Sequence, residues 1–266
     1  MDRSPIAWAR QRARALLVRL AWLKTPSIRY CIDNDLLPSV LIGTPGDRVR
    51  AALELPPSAR QTQLNQDIFA LLMNRFRPGF FLEIGANDGF TFSNTVYLEE
   101  EFGWKGVLVE ANPRYLASLS ARTRSVIVNK AVAARKGEAA FIDAGLYGGL
   151  KSSLDGSHAG ITGGAASIAV ECVGLEELLD AAAAPPRIDF VSVDVEGGEL
   201  PVVEQMAAGT RRYACGCIEF NARSEDYSRM VSLLEGAGYR VVWANQTRHD
   251  LFFVDAEMPL ARDRSS

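Results

Sequence analysis

Short apolar segments alternate with amphipathic segments from residue 61 onward, and this alternation restricts the fold more than any other feature of the sequence. Brief apolar runs bounded by turn signals are typical of buried strands, and apolar residues spaced by three and four indicate helices. Strands that alternate with helices favour βαβ units in a parallel sheet. The pattern predicts strands at 80–84, 106–110, 125–129, 188–194 and 215–220, and helices at 63–73, 93–102, 113–121, 175–183 and 200–208.

The C-terminal segments break this alternation. A helix predicted at 226–237 is followed by strands at 239–244 and 251–254, and too few residues separate these strands for a crossover helix. They must pair as a hairpin, which places one antiparallel strand in an otherwise parallel sheet. Because parallel connections are right-handed, the loops at the carboxyl ends of the strands share one edge, and we expect the ligand site there.

Seven glycines between residues 144 and 164 indicate a different kind of segment. Glycine loses conformational entropy inside helices and strands. We therefore expect a mobile loop here, flanked by strands at 139–143 and 168–173. This loop and the N-terminal 60 residues are predicted to shape the substrate pocket.

The N-terminal 60 residues differ from the rest of the chain in charge and periodicity. The first 24 hold six basic side chains and one aspartate, a net charge of +5, so the remaining 242 carry −8 of the total of −3. Residues 5–24 fit a basic amphipathic helix that can rest on an anionic membrane surface or pack on its own domain. Residues 25–60 hold five prolines and predict an irregular connector. We therefore divide the chain into 1–60 and a regular α/β domain, 61–266.

The composition excludes several classes of protein. With 48% hydrophobic and 23% charged residues and a mean hydropathy of +0.00, the chain is not a membrane bundle. A net charge of −3 gives no general attraction for nucleic acid. The N-terminus lacks the pattern of a secretory signal, and four cysteines without metal-site spacing predict reduced, mostly packed thiols. The predicted compartment is the cytoplasm, with the inner membrane surface as the alternative for residues 5–24.

The sequence Glu83-Ile84-Gly85-Ala86-Asn87-Asp88-Gly89 forms the turn after the first predicted strand. Gly85 allows a sharp turn, and Gly89 allows the backbone to approach a ligand closely. The spacing is not that of the dinucleotide fingerprint, whose pyrophosphate needs a helix N-terminus free of negative charge. Carboxylates at Glu83 and Asp88 instead favour a cationic ligand.

An acidic residue, Glu110, ends the second predicted strand. An acid at this position is placed to accept hydrogen bonds from both hydroxyls of an adenosine ribose. A helix cap is the alternative role, but Asn112 is better placed to cap the helix that begins near Pro113. The turn and the acid together predict an adenosine ligand without a diphosphate. S-adenosylmethionine meets that description, because its sulfonium is cationic and its amino-acid end needs both backbone amides and an acid.

A third cluster, Asp194-Val195-Glu196-Gly197-Gly198-Glu199, follows a predicted strand. That strand delivers Asp194 and Glu196 to the edge that holds the glycine turn, where a carboxylate can orient an acceptor hydroxyl and take its proton. Glu219, at the end of a later predicted strand, also reaches this edge. A Mg²⁺ ion on the first two acids is a weaker alternative, because hard cations need more oxygen ligands. With only two histidines in the chain, His158 and His249, we predict no metal site.

Four ordered segments between about residues 63 and 254 carry a resemblance to a known family. They are Gln66-Asp67; Phe81 through Gly89 with Ser93-Asn94-Thr95; Gly103-Trp104-Lys105-Gly106 with Glu110-Ala111-Asn112-Pro113; and Asp194-Val195-Glu196-Gly197 with Glu199. This domain resembles the FkbM-type S-adenosylmethionine-dependent methyltransferases. The resemblance implies a class I methyltransferase fold, a Rossmann-like sheet of seven strands with the last inserted antiparallel and helices on both faces. It also implies O-methylation of a sugar, a glycolipid or polysaccharide, or a secondary metabolite.

The resemblance assigns roles to residues, position by position. Gly198 departs from the family pattern, in which a bulky residue usually follows the Glu-Gly pair. The implied cofactor contacts are Gly85, Asn87 and Gly89 at the methionine end, Glu110 at the ribose, Asn129 at the adenine, and Ser152 beside Ser153 closing the pocket. Apart from the resemblance, we also predict that the acids Glu83 and Asp194 contact the cationic cofactor.

The implied reaction is an in-line displacement in which an acceptor oxygen attacks the methyl group of the sulfonium. Because that methyl group is already activated, positioning supplies much of the catalysis. Asp194 or Glu196 is the predicted base, with His158 in the glycine-rich segment as a rival. Two alternatives stay open. One is a NAD(P)-dependent oxidoreductase, for which we find no Tyr–Lys or His catalytic pair, and the other is a non-catalytic cofactor-binding scaffold at a membrane surface.

Overall fold

The structure, a computed structural model, describes Ala52 and residues 57–154, 163–220, 224–242 and 249–258. Its helices are α1 (Gln66–Met73), α2 (Val96–Phe102), α3 (Leu116–Leu119), α4 (Leu175–Ala181), α5 (Glu199–Ala208) and α6 (Ser224–Gly236). Its strands are β1 (Phe80–Ile84), β2 (Lys105–Val109), β3 (Ser125–Val128), β4 (Ala131–Val132), β5 (Gly137–Asp143), β6 (Gly149–Leu150), β7 (Ala166–Val173), β8 (Arg187–Ile188), β9 (Phe190–Val193), β10 (Arg212–Tyr213), β11 (Cys215–Glu219), β12 (Tyr239–Val242) and β13 (Asp250–Asp255).

Seven of these strands form the main sheet, in the order β3-β2-β1-β9-β11-β13-β12. β1, β2, β3, β9 and β11 are parallel to their neighbours within this group. β13 is antiparallel both to β11 and to β12. The predicted hairpin is therefore confirmed, and its second strand is inserted between β11 and the edge strand β12.

Helices cover both faces of the main sheet. Because side chains alternate along a strand, Phe81 packs with residues of α1 and α2 on one face. Leu82 and Ile84 pack with residues of α4 and α5 on the other face. All three side chains are at most 1% exposed. This two-sided core confirms the predicted α/β fold class, with the strand ends left free at one edge.

A second, smaller sheet was not predicted. It has the order β4-β7-β5-β6, and β5 pairs antiparallel with β7 over seven residues, from Gly137 opposite Cys172 to Asp143 opposite Ala166. The prediction of a single mobile loop at 144–164 is wrong at its start, because Gly149 and Leu150 pair with β5. This short strand forms a hairpin with Phe141 and Ile142, a few residues earlier in the chain, and the glycine content alone did not reveal the pairing. Residues 155–162 lie outside the described residues.

Two further elements differ from the prediction. The strand predicted at 188–194 is interrupted at Asp189, whose carboxylate accepts a hydrogen bond from the Phe80 backbone at 2.8 Å. The helix predicted at 113–121 begins as a 3-10 turn, Pro113–Tyr115, before α3. Asn112 caps this turn by accepting from the Arg114 backbone at 3.2 Å, as predicted.

The N-terminal predictions fall largely outside the described residues, since residues 5–24 and most of 1–60 are not among them. Arg60, which we placed in the connector, is 1% exposed and forms an ion pair with the buried Asp67 of α1. Within the described ranges, no helix is both long and apolar enough to cross a lipid bilayer. Cys172, Cys215 and Cys217 are free and buried, as predicted for reduced thiols.

The pairing of β11 with β13 brings Asp250 opposite Glu219. Burial raises the pKa of Asp250 to about 6, with a contribution from Glu219, although Gln66 donates a hydrogen bond to it at 2.8 Å. A carboxyl whose pKa is raised on folding stabilises the fold at low pH, and this contribution is lost as the pH rises from about 4 to 6. Asp250→Asn should therefore increase the free energy of unfolding at pH 8 by up to about 3 kcal/mol.

Chemical denaturation of the variant and the wild type at pH 4 and pH 8 measures this effect. The gain should be present at pH 8 and absent at pH 4, because asparagine keeps the acceptor for Gln66 and does not ionise. Asp180→Asn, in an exposed ion pair with Arg211, is the control and should change little at either pH. A variant less stable than the wild type at pH 8 would contradict the prediction.

Candidate active site

A cavity opens at the carboxyl ends of the central strands, where the sequence places the ligand site. The turn after β1, the residue after β2, the turn after β9 and the end of β11 all line it. The second sheet contributes another part of the wall, through Phe141 of β5, the segment 145–148 and Leu150. The cavity is thus bounded by the main sheet on one side and by the unpredicted sheet on another.

The turn after β1 approaches the turn after β9 very closely. Gly85 has φ +89°, and a Cβ atom built on it would lie 1.6 Å from the backbone oxygen of Asp194. The backbone N–H groups of Gly85 and Ala86 both donate to the Val109 carbonyl, at 2.9 and 3.0 Å. These contacts tie the ends of β1, β2 and β9 together. Gly85 is required by this close approach as well as by its own φ.

The other amides of this turn are also donors within the protein. Asn87 donates to Glu110, Asp88 to the Asn87 side chain and Gly89 to the Ala86 carbonyl. A ligand carboxylate therefore finds no vacant N–H among residues 85–89. This finding differs from our expectation that backbone amides here would receive the amino-acid end of the cofactor, and it makes the turn better suited to a cationic group.

Glu110 lies at the end of β2, lines the cavity and is 7% exposed. Its carboxylate accepts from the Asn87 backbone at 2.8 Å and from the Asn112 backbone at 2.7 Å. Burial raises its pKa, although these hydrogen bonds act in the opposite direction. The two amides fix the orientation of the carboxylate, and each oxygen keeps a second lone pair for a ligand hydroxyl.

Glu83 lies on β1 beneath the turn, lines the cavity and is 4% exposed. Its carboxylate accepts from the Thr95 hydroxyl at 2.6 Å, the Asn94 backbone at 2.9 Å and the Ser93 hydroxyl at 3.0 Å. Burial raises its pKa, and the nearby Arg122 partly offsets that effect. The carboxylate thus organises the segment 93–95, and its direct contact with a cofactor stays a prediction.

Arg122 fixes the same segment from the side of α3. It donates to the Gly89 carbonyl at 2.6 Å, to the Thr95 hydroxyl at 2.9 Å and to Glu99 at 2.9 Å, and it is 2% exposed. A buried guanidinium is costly to disturb, because removal of its ion-pair partner Glu99 would leave a buried charge unpaired. Arg122 therefore holds the glycine turn at Gly89 and the segment 93–95 in a fixed arrangement.

Three carboxylates meet beside Gly85. Oxygens of Asp194, Glu196 and Glu219 lie within 4.8 Å of one another. Asp194 is exposed to the cavity, while protein surrounds it on the other sides. Desolvation by the surrounding protein is the largest cause that raises the pKa of Asp194 well above its ordinary value, and the neighbouring Glu219 and Glu196 raise it further. At such separations carboxylates can share a proton or hold a divalent cation, so the absence of a metal stays a prediction.

The turn that carries Glu196 is itself strained and supported. Glu196 has φ +53°, which is unfavourable for a residue with a side chain. Glu199 supports it by accepting from the Val195 and Gly197 backbone groups, each at 3.0 Å. Strain of this kind persists only when surrounding contacts maintain it, and it is concentrated at functional sites.

The structure brings some of the predicted residues together and leaves others elsewhere. Gly89 packs on α3 and Arg122, and Asn129 donates to the backbone carbonyls of Glu110 and Ala111. Ser153, and not Ser152, lines the cavity. His158 lies outside the described residues. The predicted residues that line the cavity are Glu83, Gly85, Asn87, Glu110, Ser153, Asp194, Glu196 and Glu219.

Sequence reasoning missed several residues that line the cavity. Tyr115 follows the acid at β2, Phe141 and Tyr147 come from the second sheet, and Phe92 comes from the segment after the glycine turn. An aromatic residue between glycines, such as Tyr147, is a signal that could have been used. Phe92 carries no comparable signal, because only its position in the fold exposes it.

This strand order, with β13 inserted antiparallel, a glycine turn after β1 and an acid after β2, defines a class I methyltransferase sheet. The methyltransferase FkbM domain matches residues 83–241, more than half of the chain. The chain belongs to this family, and it is an S-adenosylmethionine-dependent methyltransferase. The predicted family and cofactor are therefore confirmed, and the oxidoreductase alternative is set aside.

Three solved structures illustrate the similarity. Precorrin-6y C5,15-methyltransferase from Geobacter metallireducens is 13% identical, with 72% of this chain and 87% of that chain covered and a TM-score of 0.41. A TehB-like methyltransferase from Corynebacterium glutamicum is 11% identical, with 79% and 98% covered and a TM-score of 0.39. TYW2 from M. jannaschii in complex with AdoMet is 12% identical, with 74% and 78% covered and a TM-score of 0.32. No curated protein matches the chain in sequence.

Proposed function

We propose that this protein transfers the methyl group of S-adenosylmethionine to a hydroxyl oxygen of a small-molecule acceptor, such as a sugar, a glycolipid or polysaccharide, or a secondary metabolite. The observation that carries the proposal is the meeting of Asp194, Glu196 and Glu219 beside the Gly85 turn. These carboxylates lie next to the turn that we assign to the cofactor. A carboxylate in this position can orient the hydroxyl of the methyl-accepting molecule and take its proton.

The residues around the cavity fit this cofactor. Glu110 would hold the ribose hydroxyls, because backbone amides fix both of its oxygens and the residue lines the cavity. The turn at residues 85–87 would receive the ammonium end, since its amides are already donors within the protein. S-adenosylmethionine supplies an electrophilic methyl group on a sulfonium. The carboxylates of the site stabilise a cation of this kind electrostatically.

The chain's own residues would act on the acceptor. Asp194, with its raised pKa, is a stronger proton acceptor than an ordinary aspartate. An acceptor hydroxyl held against Asp194 or Glu196 would pass its proton to the carboxylate. S-adenosylmethionine, when bound, would supply the methyl group for the acceptor oxygen, and the products would be the methyl ether, S-adenosylhomocysteine and a protonated carboxyl group, so charge and atoms balance.

The proposal includes several predictions from the sequence. One is that His158 is a rival base, and another is that residues 5–24 contact a membrane. Both concern residues outside the described ranges. Vesicle binding with and without residues 1–24 tests the membrane contact. Asn129 and Ser152 do not line the cavity, and the adenine contact of Asn129 and pocket closure by Ser152 are parts of this proposal.

Titration with S-adenosylhomocysteine tests the assignment of Glu110. We expect Glu110→Gln to weaken binding by about tenfold to a hundredfold, because a charge-assisted hydrogen bond to a ribose hydroxyl contributes about 1.5 to 3 kcal/mol. Calorimetry measures the affinity, and thermal unfolding of the free protein shows any general loss of stability. Glu171→Gln, in an exposed ion pair with Lys130 near the cavity, is the matched control. Equal affinity in the two variants would refute the ribose assignment.

A further inference from the structure

The mouth of the cavity exposes apolar side chains. Phe92 is 52% exposed, Tyr147 48% and Leu146 41%, and all three line the cavity. Among the described residues, the other large exposed apolar side chains, Leu64, Leu116 and Val126, do not line it. Scattered exposed apolar residues are ordinary, whereas a group at the mouth of a pocket indicates a binding surface.

The backbone holds Phe92 in this exposed position. Its φ is +58°, an unfavourable conformation for a bulky residue. On one side, Asp88 accepts from the backbone groups of Phe90 and Thr91 at 2.8 and 2.7 Å. On the other side, Glu83 accepts from the segment 93–95. Two fixed turns therefore project the ring of Phe92, and strain maintained in this way is typical of a ligand contact.

Leu146 and Tyr147 come from the second sheet. They lie in a 3-10 turn, Gly145–Tyr147, directly after β5, and the turn is closed by the Gly148 N–H, which donates to the Gly145 carbonyl at 3.2 Å. An ion pair between Asp143, at the end of β5, and Arg114 joins this sheet to the turn before α3 at 2.8 Å. The apolar mouth is thus built from two separate parts of the fold.

The charges that line the cavity have one predominant sign. Among its described lining residues, the acids are Glu83, Glu110, Asp194, Glu196 and Glu219, and the one basic residue is Lys130. The amine of Lys130 lies 2.5 Å from the carboxylate of Glu171 and is therefore already paired. Within the described lining, a phosphate or carboxylate on the acceptor would meet these five acids with Lys130 as the one cation, and such a juxtaposition is repulsive.

We infer that the acceptor is an uncharged molecule that carries its hydroxyl on an apolar body, with Phe92, Leu146 and Tyr147 binding that body. The inference rests on the proposed function, and it specifies the substrate class of that site. The carboxylates receive the hydroxyl, and the exposed side chains lose contact with water when the apolar body binds. The acids that line the described part of the cavity disfavour acceptors with phosphate or carboxylate groups, including nucleotide sugars.

Methyl-labelled S-adenosylmethionine identifies the acceptor class even though the acceptor itself is unidentified. The full chain is incubated with the labelled cofactor and a small-molecule extract of cells that contain this protein. The extract is then passed over anion-exchange, cation-exchange and reversed-phase columns. We expect the labelled product to pass both ion exchangers and to be retained on the reversed-phase column.

Other distributions of the label overturn the inference. Labelled product that is distinct from unreacted S-adenosylmethionine, itself a cation, and is retained on either ion exchanger shows a charged acceptor. Labelled product that passes all three columns shows an acceptor without an apolar body. Both results leave methyl transfer itself intact. If no label leaves the cofactor, the proposed function fails, and the inference fails with it. The two failures are therefore distinguishable.

Variants of the mouth test the assigned residues with the labelled fraction as substrate. Phe92→Ala and Tyr147→Ala should each raise KM by about tenfold or more, as expected when an apolar contact is lost. Their kcat and their affinity for S-adenosylhomocysteine should match those of the wild type. Leu116→Ala, which removes an exposed apolar side chain outside the cavity lining, should leave KM unchanged. Wild-type KM in both mouth variants would overturn the assignment.

Discussion

Gly85→Ala is expected to abolish cofactor binding and to destabilise the protein by about 3 to 5 kcal/mol. The added Cβ would lie 1.6 Å from the Asp194 carbonyl oxygen, and the residue would have to adopt φ +89°. β1 and β9 are adjacent parallel strands, so the clash can be relieved only by separating their ends. That movement would displace the glycine turn and Asp194 from each other.

Gly103→Ala is the matched control for this prediction. Gly103 also has a positive φ, +68°, but a Cβ built on it meets nothing within 4 Å. In the control only the positive φ is unfavourable for alanine, and we expect the free energy of unfolding to fall by about 1 to 2 kcal/mol. Thermal unfolding and titration with S-adenosylhomocysteine compare the two variants. Equal stability and retained binding in Gly85→Ala would show that the strand ends yield more easily than the structure indicates.

Asp194→Asn is expected to slow methyl transfer by about 10² to 10⁴, the usual contribution of a general base. Asparagine keeps the shape of the side chain but does not accept the proton. Its neutral amide also removes one of three mutually repelling carboxylates, so the variant should be at least as stable as the wild type at pH 8. A large loss of rate without a loss of stability distinguishes a catalytic role from a structural one.

The pH dependence of transfer provides a second readout for Asp194. The base must be ionised, so the rate should fall on acidification at a pH well above the ordinary pKa of an aspartate. Glu219→Gln removes one neighbouring charge that raises this pKa, so the acidic limb of the profile should move to lower pH. Glu204→Gln, in an exposed ion pair with Arg229, should leave the profile unchanged. A rate for Asp194→Asn within about threefold of the wild type, far less than a general base contributes, would reject Asp194 as the base.

Local sequence patterns predicted the elements whose periodicity is strong. β1 has the bounds that its apolar run indicated, and the terminal hairpin followed from the short separation of two strand-like segments. Gly85 and Glu110 were correctly predicted to lie at the site, because each directly follows the apolar run of a buried strand. The cap at Asn112 followed from the proline after it. These features depend on residues near one another in the chain.

Other features depend on pairing between distant segments. Asp189 interrupts a strand-like run because its carboxylate binds the backbone of Phe80, more than a hundred residues earlier. Contacts of this kind form only in the folded protein, so the secondary-structure propensity of a short segment does not predict them.

The sequence by itself determined the class of fold, the edge where the ligand site lies and the acids that end its strands, because burial periodicity and turn chemistry are local properties. Only the tertiary structure decided which of these residues share a cavity. It brought Glu219 beside Asp194, turned Gly89 and Asn129 to other partners, and exposed Phe92 at the mouth. The physical reason is that side-chain proximity and exposure are set by strand pairing across long sequence separations.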